Sequence, residues 1–106
     1  MRRGSPHFAL QQITALLLTP LALWLAFFLV QNAKSAVLFQ EALGEAKNRL
    51  FYGLFMVLAA YHAALGLEMI FDDYIHSEPL KKGLLWGSRM GLLLTVVLAL
   101  SALLLL

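Results

Sequence analysis

The chain has 106 residues, of which 61% are hydrophobic, and its formal net charge is +2. Its mean hydropathy of +0.80 points to a membrane protein, because only about half of the residues of a soluble domain are apolar. The small positive charge lies in short segments beside apolar runs, so it does not indicate a nucleic-acid partner. The absence of cysteine excludes disulfides, thiolate metal sites and iron–sulfur ligation by this chain.

Three long apolar segments carry the hydrophobic excess, and a histidine is the one ionisable group within their cores. Each core has about 18 residues, and a helix of that length spans about 27 Å, close to the bilayer's hydrocarbon thickness of about 30 Å. The sequence therefore predicts an all-α membrane protein. Its residues 1–106 would form a single transmembrane domain with helices at about 13–30, 50–71 and 83–106.

The segments between these helices are short and polar. Trp24 lies in the middle of the first apolar run, which predicts packing against a neighbouring helix rather than anchoring at the interface. Within the connection 31–49, four apolar residues predict a short helix at the membrane interface: Val37, Leu38, Ala42 and Leu43. Pro79 is predicted to break the chain between the second and third helices.

The distribution of lysine and arginine predicts the orientation of the chain. The first side holds the N-terminal segment and the second connection, with Arg2, Arg3, Lys81, Lys82 and Arg89. The second side holds only Lys34, Lys47 and Arg49. By the positive-inside rule, the N-terminus and segment 72–82 are predicted to be cytoplasmic, and 31–49 to lie outside.

His62 is the candidate binding residue of the second apolar segment. Ionisable groups within a membrane span are costly, and a neutral imidazole is a strong axial ligand for haem iron. The alternative is a packed histidine with a structural hydrogen bond. On a helix, the small residues Ala59 and Gly66 share the face of His62, so a flat ligand could lie beside the imidazole.

Asp72, Asp73 and Tyr74 end the second apolar segment. One interpretation is an ordinary polar helix end at the water boundary. The other is a site for a polar headgroup, in which the neutral phenol of Tyr74 donates a hydrogen bond to a quinone carbonyl and a carboxylate orients it. Asp73 lies eleven residues after His62, about 16 Å farther along an ideal helix and on the same face.

Two motifs resemble those of the D-type membrane anchor of succinate dehydrogenase, respiratory complex II. The first is HxxxGxxxxxxDY, matched by His62, Gly66, Asp73 and Tyr74. The second is HF-x-L-Q-R-x-T-A, matched by residues 7–15 except that Gln12 stands where the family often has an arginine near a haem propionate. The resemblance covers the first two helices, whereas the third is similar only in being apolar.

The resemblance implies one half of a two-chain anchor bundle, which shares haem b with a C-type cytochrome b anchor subunit. His62 would be one axial ligand of the haem iron, and His7 would contact a haem propionate. Tyr74 and Asp73 would form part of a ubiquinone site. The other partners would be an iron–sulfur subunit, a flavoprotein subunit and membrane lipid.

The resemblance implies that the complex reduces ubiquinone with electrons from succinate. This subunit would have no complete active site and no catalytic residue of its own. The implied location is the bacterial inner membrane, which is favoured over the mitochondrial inner membrane. Two alternatives remain open. One is an anchor of a quinol:fumarate reductase, which differs mainly in the direction of electron flow. The other is a cofactor-free structural or assembly membrane protein in which His62 only packs.

Overall fold

The computed structural model describes residues 6–105, with the exception of the His7 side chain. These residues form four helices: α1 (Pro6–Asn32), α2 (Ala36–Leu43), α3 (Ala46–Tyr74) and α4 (Glu78–Leu105). Three of them are long and apolar enough to cross a membrane. The predicted all-α class with three transmembrane helices is therefore confirmed. Arg2 and Arg3, on which the predicted orientation partly rests, lie outside the described residues.

The long helices form an antiparallel bundle in which α3 contacts both α1 and α4. Trp24 of α1 packs against Phe51 near the start of α3, whereas Thr14 of α1 meets His62 farther along α3. The bundle measures 48 × 26 × 20 Å. Its long dimension is close to the full thickness of a bilayer with its headgroups, about 40–45 Å.

An aromatic cluster closes the bundle where α1 ends and α3 begins. The Trp24 ring stacks on Phe28 with centroids 5.0 Å apart and meets Phe51 edge-on at 5.4 Å. Phe39 of α2 extends the cluster to Phe28, at 5.8 Å, and to Tyr52, at 6.5 Å. The predicted packing of Trp24 against a neighbouring helix is therefore confirmed. Offset and edge-on ring pairs of this kind add about 0.5–1.5 kcal/mol each.

The short helix α2 caps this end of the bundle. Ser35 begins it, because the Ser35 hydroxyl accepts a hydrogen bond from the Leu38 N–H at 3.1 Å, a common N-terminal cap. Asn48 Nδ2 and Arg49 Nε donate to the carbonyls of Ala42 and Leu43, both at 2.8 Å. A short helix was predicted here, and its last residues contact the bundle.

Only half of the apolar stripe predicted for α2 faces the protein. Leu43 is 4% exposed and packs with Phe28 and Leu103, whereas Val37 and Leu38 are exposed. The stripe therefore divides between the bundle and the surroundings, because an eight-residue helix that packs at its C-terminal end leaves its first turn free.

The helices extend beyond the bounds that hydropathy predicts. In particular, α4 begins at Glu78 rather than at about residue 83, and Pro79 lies in its first turn. Proline is tolerated there because the first backbone N–H groups of a helix have no intrahelical partner. The break between α3 and α4 is thus only Ile75, His76 and Ser77.

Candidate functional site

His62 lies in the second half of α3, and its ring is directed at α1. Its Nδ1 is 2.8 Å from the hydroxyl oxygen of Thr14. Thr14 is only 5% exposed, and His62 is partly buried. The lone histidine of the second apolar segment is therefore held by a polar partner across the α1–α3 interface.

The Thr14 hydroxyl also contacts the backbone of its own helix. Its oxygen lies 2.8 Å from the carbonyl oxygen of Leu10 and 3.0 Å from that of Gln11. Threonine in a helix commonly makes such contacts with the carbonyls three and four residues earlier. Thr14 therefore joins the α1 backbone to the His62 ring.

Gln11 occupies the space beside Gly66, one turn of α3 beyond His62. A Cβ atom at Gly66 would lie 3.5 Å from Gln11 Nε2, which is ordinary van der Waals contact. The Gln11 Oε1 atom is buried and has no hydrogen-bond partner in the described part of the chain. The small residue Gly66 was predicted to leave room for a flat ligand. Instead, the glutamine of α1 fills part of that room.

A second face of α3 forms ion pairs with α4. Asp72 Oδ1 is 2.8 Å from Lys81 Nζ, and Glu68 Oε1 is 3.7 Å from Arg89 Nη2. Glu68 pairs within this chain because the antiparallel bundle brings the first half of α4 beside the last turns of α3.

The structure separates Asp73 and Tyr74 from the histidine. Tyr74 is the last residue of α3 and is 75% exposed, and Asp73 beside it is also exposed. By helix geometry, Asp73 is displaced about 16 Å along the axis from His62. The predicted haem residue and the predicted quinone residues are thus two separate positions on one helix.

The other histidines do not join His62. His76 is exposed in the short break between α3 and α4. The predicted propionate contact of His7 falls on a side chain that lies outside the described residues. Across the described residues, no three His, Cys, Asp or Glu side chains are grouped to hold a metal ion. A metal bound at His62 would therefore take its further ligands from outside this described set.

Thr14 and Gln11 are the site residues that the sequence reasoning missed as neighbours of His62. Both belong to the motif of residues 7–15, which does not by itself place them beside His62. A local signal existed, because they are polar residues three positions apart in a largely apolar helix, which places them on one face. Pairing that face with the histidine of α3 requires the packing of the two helices, which the sequence pattern does not specify.

Comparisons of this sequence with a family model and with known proteins indicate the same family. Residues 2–105 match the family described as succinate dehydrogenase/fumarate reductase transmembrane subunit. The chain is 32% identical over 97 residues to the succinate dehydrogenase hydrophobic membrane anchor subunit of Rickettsia bellii, covering 91% of this chain and 78% of the relative. It is 25% identical over the same length to the corresponding subunit of Rickettsia prowazekii, with the same coverage.

A relative outside Rickettsia supports the same family. The succinate dehydrogenase membrane anchor subunit of Reclinomonas americana is 30% identical over 82 residues, which are 73% of this chain and 68% of the relative. No solved structure matches the chain significantly. The predicted resemblance is confirmed: the chain belongs to the family of transmembrane subunits of succinate dehydrogenase and fumarate reductase, as a D-type hydrophobic membrane anchor subunit.

Proposed function

We propose that this subunit helps to bind haem b and ubiquinone, so that electrons from succinate reduce the quinone. The observation that carries the proposal is the membrane-embedded His62, whose Nδ1 is hydrogen-bonded to Thr14. A histidine that binds a metal through one ring nitrogen usually has a hydrogen-bond partner on the other. The family match supplies the enzyme complex in which such a histidine would work.

The residues around His62 fit a haem ligand shared between chains. The ring has one nitrogen engaged by Thr14, which leaves Nε2 for iron. The buried Gln11 Oε1 beside Gly66 lacks a donor within the described part of this chain, as expected where a cofactor or a partner subunit completes the site. His62 would hold the iron from this side, and a histidine of the C-type anchor would be the second ligand. The haem, when bound, supplies one-electron chemistry.

Tyr74 and Asp73 would serve the quinone at the end of α3. The exposed Tyr74 phenol is free to donate a hydrogen bond to a quinone oxygen. Asp73 would order this site or supply protons to it. Because both residues lie at the surface of this chain, the walls of the site would come from the iron–sulfur subunit and the C-type anchor. This chain would thus hold no complete active site, and the flavoprotein subunit would oxidise succinate.

The proposed orientation places the N-terminus and the α3–α4 break in the cytoplasm, with the bacterial inner membrane as the location. The Rickettsia relatives favour a bacterial membrane, and the lysine and arginine count favours this orientation. Relatives named as succinate dehydrogenase subunits favour that enzyme over the fumarate reductase alternative.

The proposal is tested by replacing His62 in the assembled complex. The chain is co-expressed with its partner subunits and purified in mild detergent, and the optical and EPR spectra of the haem are recorded. His62→Ala should abolish the low-spin bis-histidine spectrum, whereas the control His76→Ala, outside the spans, should retain it. An assembled His62→Ala complex with an unchanged spectrum would favour the alternative of a histidine that only packs.

A further inference from the structure

We infer that Thr14 is the positioning residue that fixes the tautomer of His62, with the proton on Nδ1 and the lone pair of Nε2 free to bind iron. This inference rests on the proposed haem ligation by His62 and deepens it. It concerns a residue of α1 that acts on the ligand of α3 through one hydrogen bond of 2.8 Å. Thr14 would not contact the iron itself.

The direction of the hydrogen bond follows from the number of protons. A threonine hydroxyl has one proton to donate and two lone pairs to accept. The Thr14 oxygen has two carbonyl acceptors within reach on α1, at 2.8 Å on Leu10 and 3.0 Å on Gln11. When the hydroxyl gives its proton to the α1 backbone, its oxygen accepts from the third neighbour, and that neighbour must be a protonated Nδ1 of His62.

The opposite direction leaves more groups unsatisfied. If the hydroxyl donated to a bare Nδ1, its oxygen would accept no hydrogen bond and would face two carbonyl oxygens without a proton between them. The ring would then carry its proton on Nε2, for which the described residues offer no acceptor. At 5% exposure, Thr14 has almost no access to solvent that could compensate. An unpaired polar group in an apolar surrounding is costly, so the Nδ1–H form is favoured.

The consequence for a bound metal is electronic as well as geometric. A hydrogen bond donated by Nδ1–H makes the imidazole a better electron donor and fixes the rotation of the ring. A stronger donor stabilises ferric over ferrous iron, which lowers the midpoint potential of the haem. With haem bound at His62, the carbonyls of α1 would thus act on the potential through the Thr14 hydroxyl and the His62 ring.

The test compares Thr14→Val, which keeps the side-chain shape without the hydroxyl, with Thr14→Ser, which keeps the hydroxyl. In assembled complexes, Thr14→Val should raise the haem midpoint potential and weaken haem retention by about 10- to 100-fold. Thr14→Ser should remain close to the wild type in both. Equal behaviour of Thr14→Val and wild type, or equal shifts in both variants, would overturn the role of the hydroxyl.

A second measurement needs neither haem nor a variant that assembles. Nitrogen-15 NMR of the histidine-labelled full chain in lipid nanodiscs, at about pH 8.5 where a histidine is ordinarily neutral, reports which ring nitrogen carries the proton. The His62 signal is identified by its loss in His62→Ala. The proton should be on Nδ1 in the wild type, and a proton on Nε2 would overturn the inference. If His62→Ala leaves the haem spectrum unchanged, haem ligation fails instead, whatever Thr14 does.

Discussion

Asp72 Oδ1 and Lys81 Nζ lie 2.8 Å apart and join the last turn of α3 to the first turns of α4. The neighbouring Asp73 and Tyr74 point elsewhere around the helix, since successive residues are rotated by about 100°. Three consecutive polar residues therefore have different surroundings. Asp72 holds two helices together, whereas Tyr74 is 75% exposed at the surface of the chain.

This difference predicts unequal effects on quinone reduction. Tyr74→Phe keeps the ring and removes the donor, and loss of one hydrogen bond to an otherwise unsatisfied partner costs about 1–3 kcal/mol. Quinone-dependent activity should therefore fall by about 5- to 150-fold. Asp73→Asn should also lower this activity and change its pH dependence, because the amide cannot carry a proton.

The control for both variants is Asp72→Asn, which alters the helix contact but not the proposed quinone site. The measurement is the ratio of quinone-dependent to dye-dependent succinate oxidation, with assembly checked in each variant. Dye reduction should change little, because the dye takes electrons from other subunits. Wild-type ratios for Tyr74→Phe and Asp73→Asn would show that this helix end is merely polar.

The sequence predicted the class of fold and the position of His62 in a membrane helix, because hydropathy and length report directly on spanning helices. It did not predict that Gln11 fills the space beside Gly66. It also did not predict that Glu68 pairs with Arg89. Both results depend on the rotation of α3 relative to its neighbours, and α3 has apolar residues on every side, so no amphipathic stripe indicates that rotation.

The Glu68–Arg89 pair predicts coupled effects on stability. Glu68 Oε1 and Arg89 Nη2 are 3.7 Å apart, and Glu68 has the more buried side chain of the two. Replacing one partner leaves a charge unpaired near the membrane, which is more costly than losing both charges. In a double-mutant cycle of Glu68→Gln and Arg89→Gln, we expect a coupling free energy of about 0.5–1 kcal/mol. The measurement is detergent-induced unfolding of the complex, and strictly additive effects would argue against the pair.

The three spans and the positive-inside rule predict that the α3–α4 break and the C-terminus lie on opposite sides of the membrane. A reporter inserted after Ser77, in the α3–α4 break, should show cytoplasmic accessibility, and one fused after Leu106 should lie on the other side. The measurement uses paired reporters that are active on opposite sides of the membrane. A cytoplasmic signal from the C-terminal fusion in an assembled complex would contradict the orientation.

Gly53 predicts a steric limit on the contact between α3 and α4. It is buried, and a Cβ atom there would lie 3.4 Å from Leu100 Cδ2 and 3.6 Å from Leu103 Cδ1. Gly53→Ala should be tolerated because the ends of the two leucines can shift slightly. Gly53→Leu adds a branched side chain at a closely packed point, and overpacking of this kind costs about 1–3 kcal/mol.

The comparison of these two variants with Gly91→Leu separates packing from a general effect of side-chain bulk. A Cβ atom at Gly91 would meet nothing within 4 Å in this chain, so added volume there leaves the α3–α4 contact intact. The measurement is the midpoint temperature at which the complex in mild detergent loses its quinone-dependent succinate oxidation. We expect a small decrease in the midpoint for Gly53→Ala and a larger decrease for Gly53→Leu. Gly91→Leu should stay near the wild type. A Gly53→Leu complex as stable as the wild type would mean that α3 and α4 separate at this point in the assembled protein.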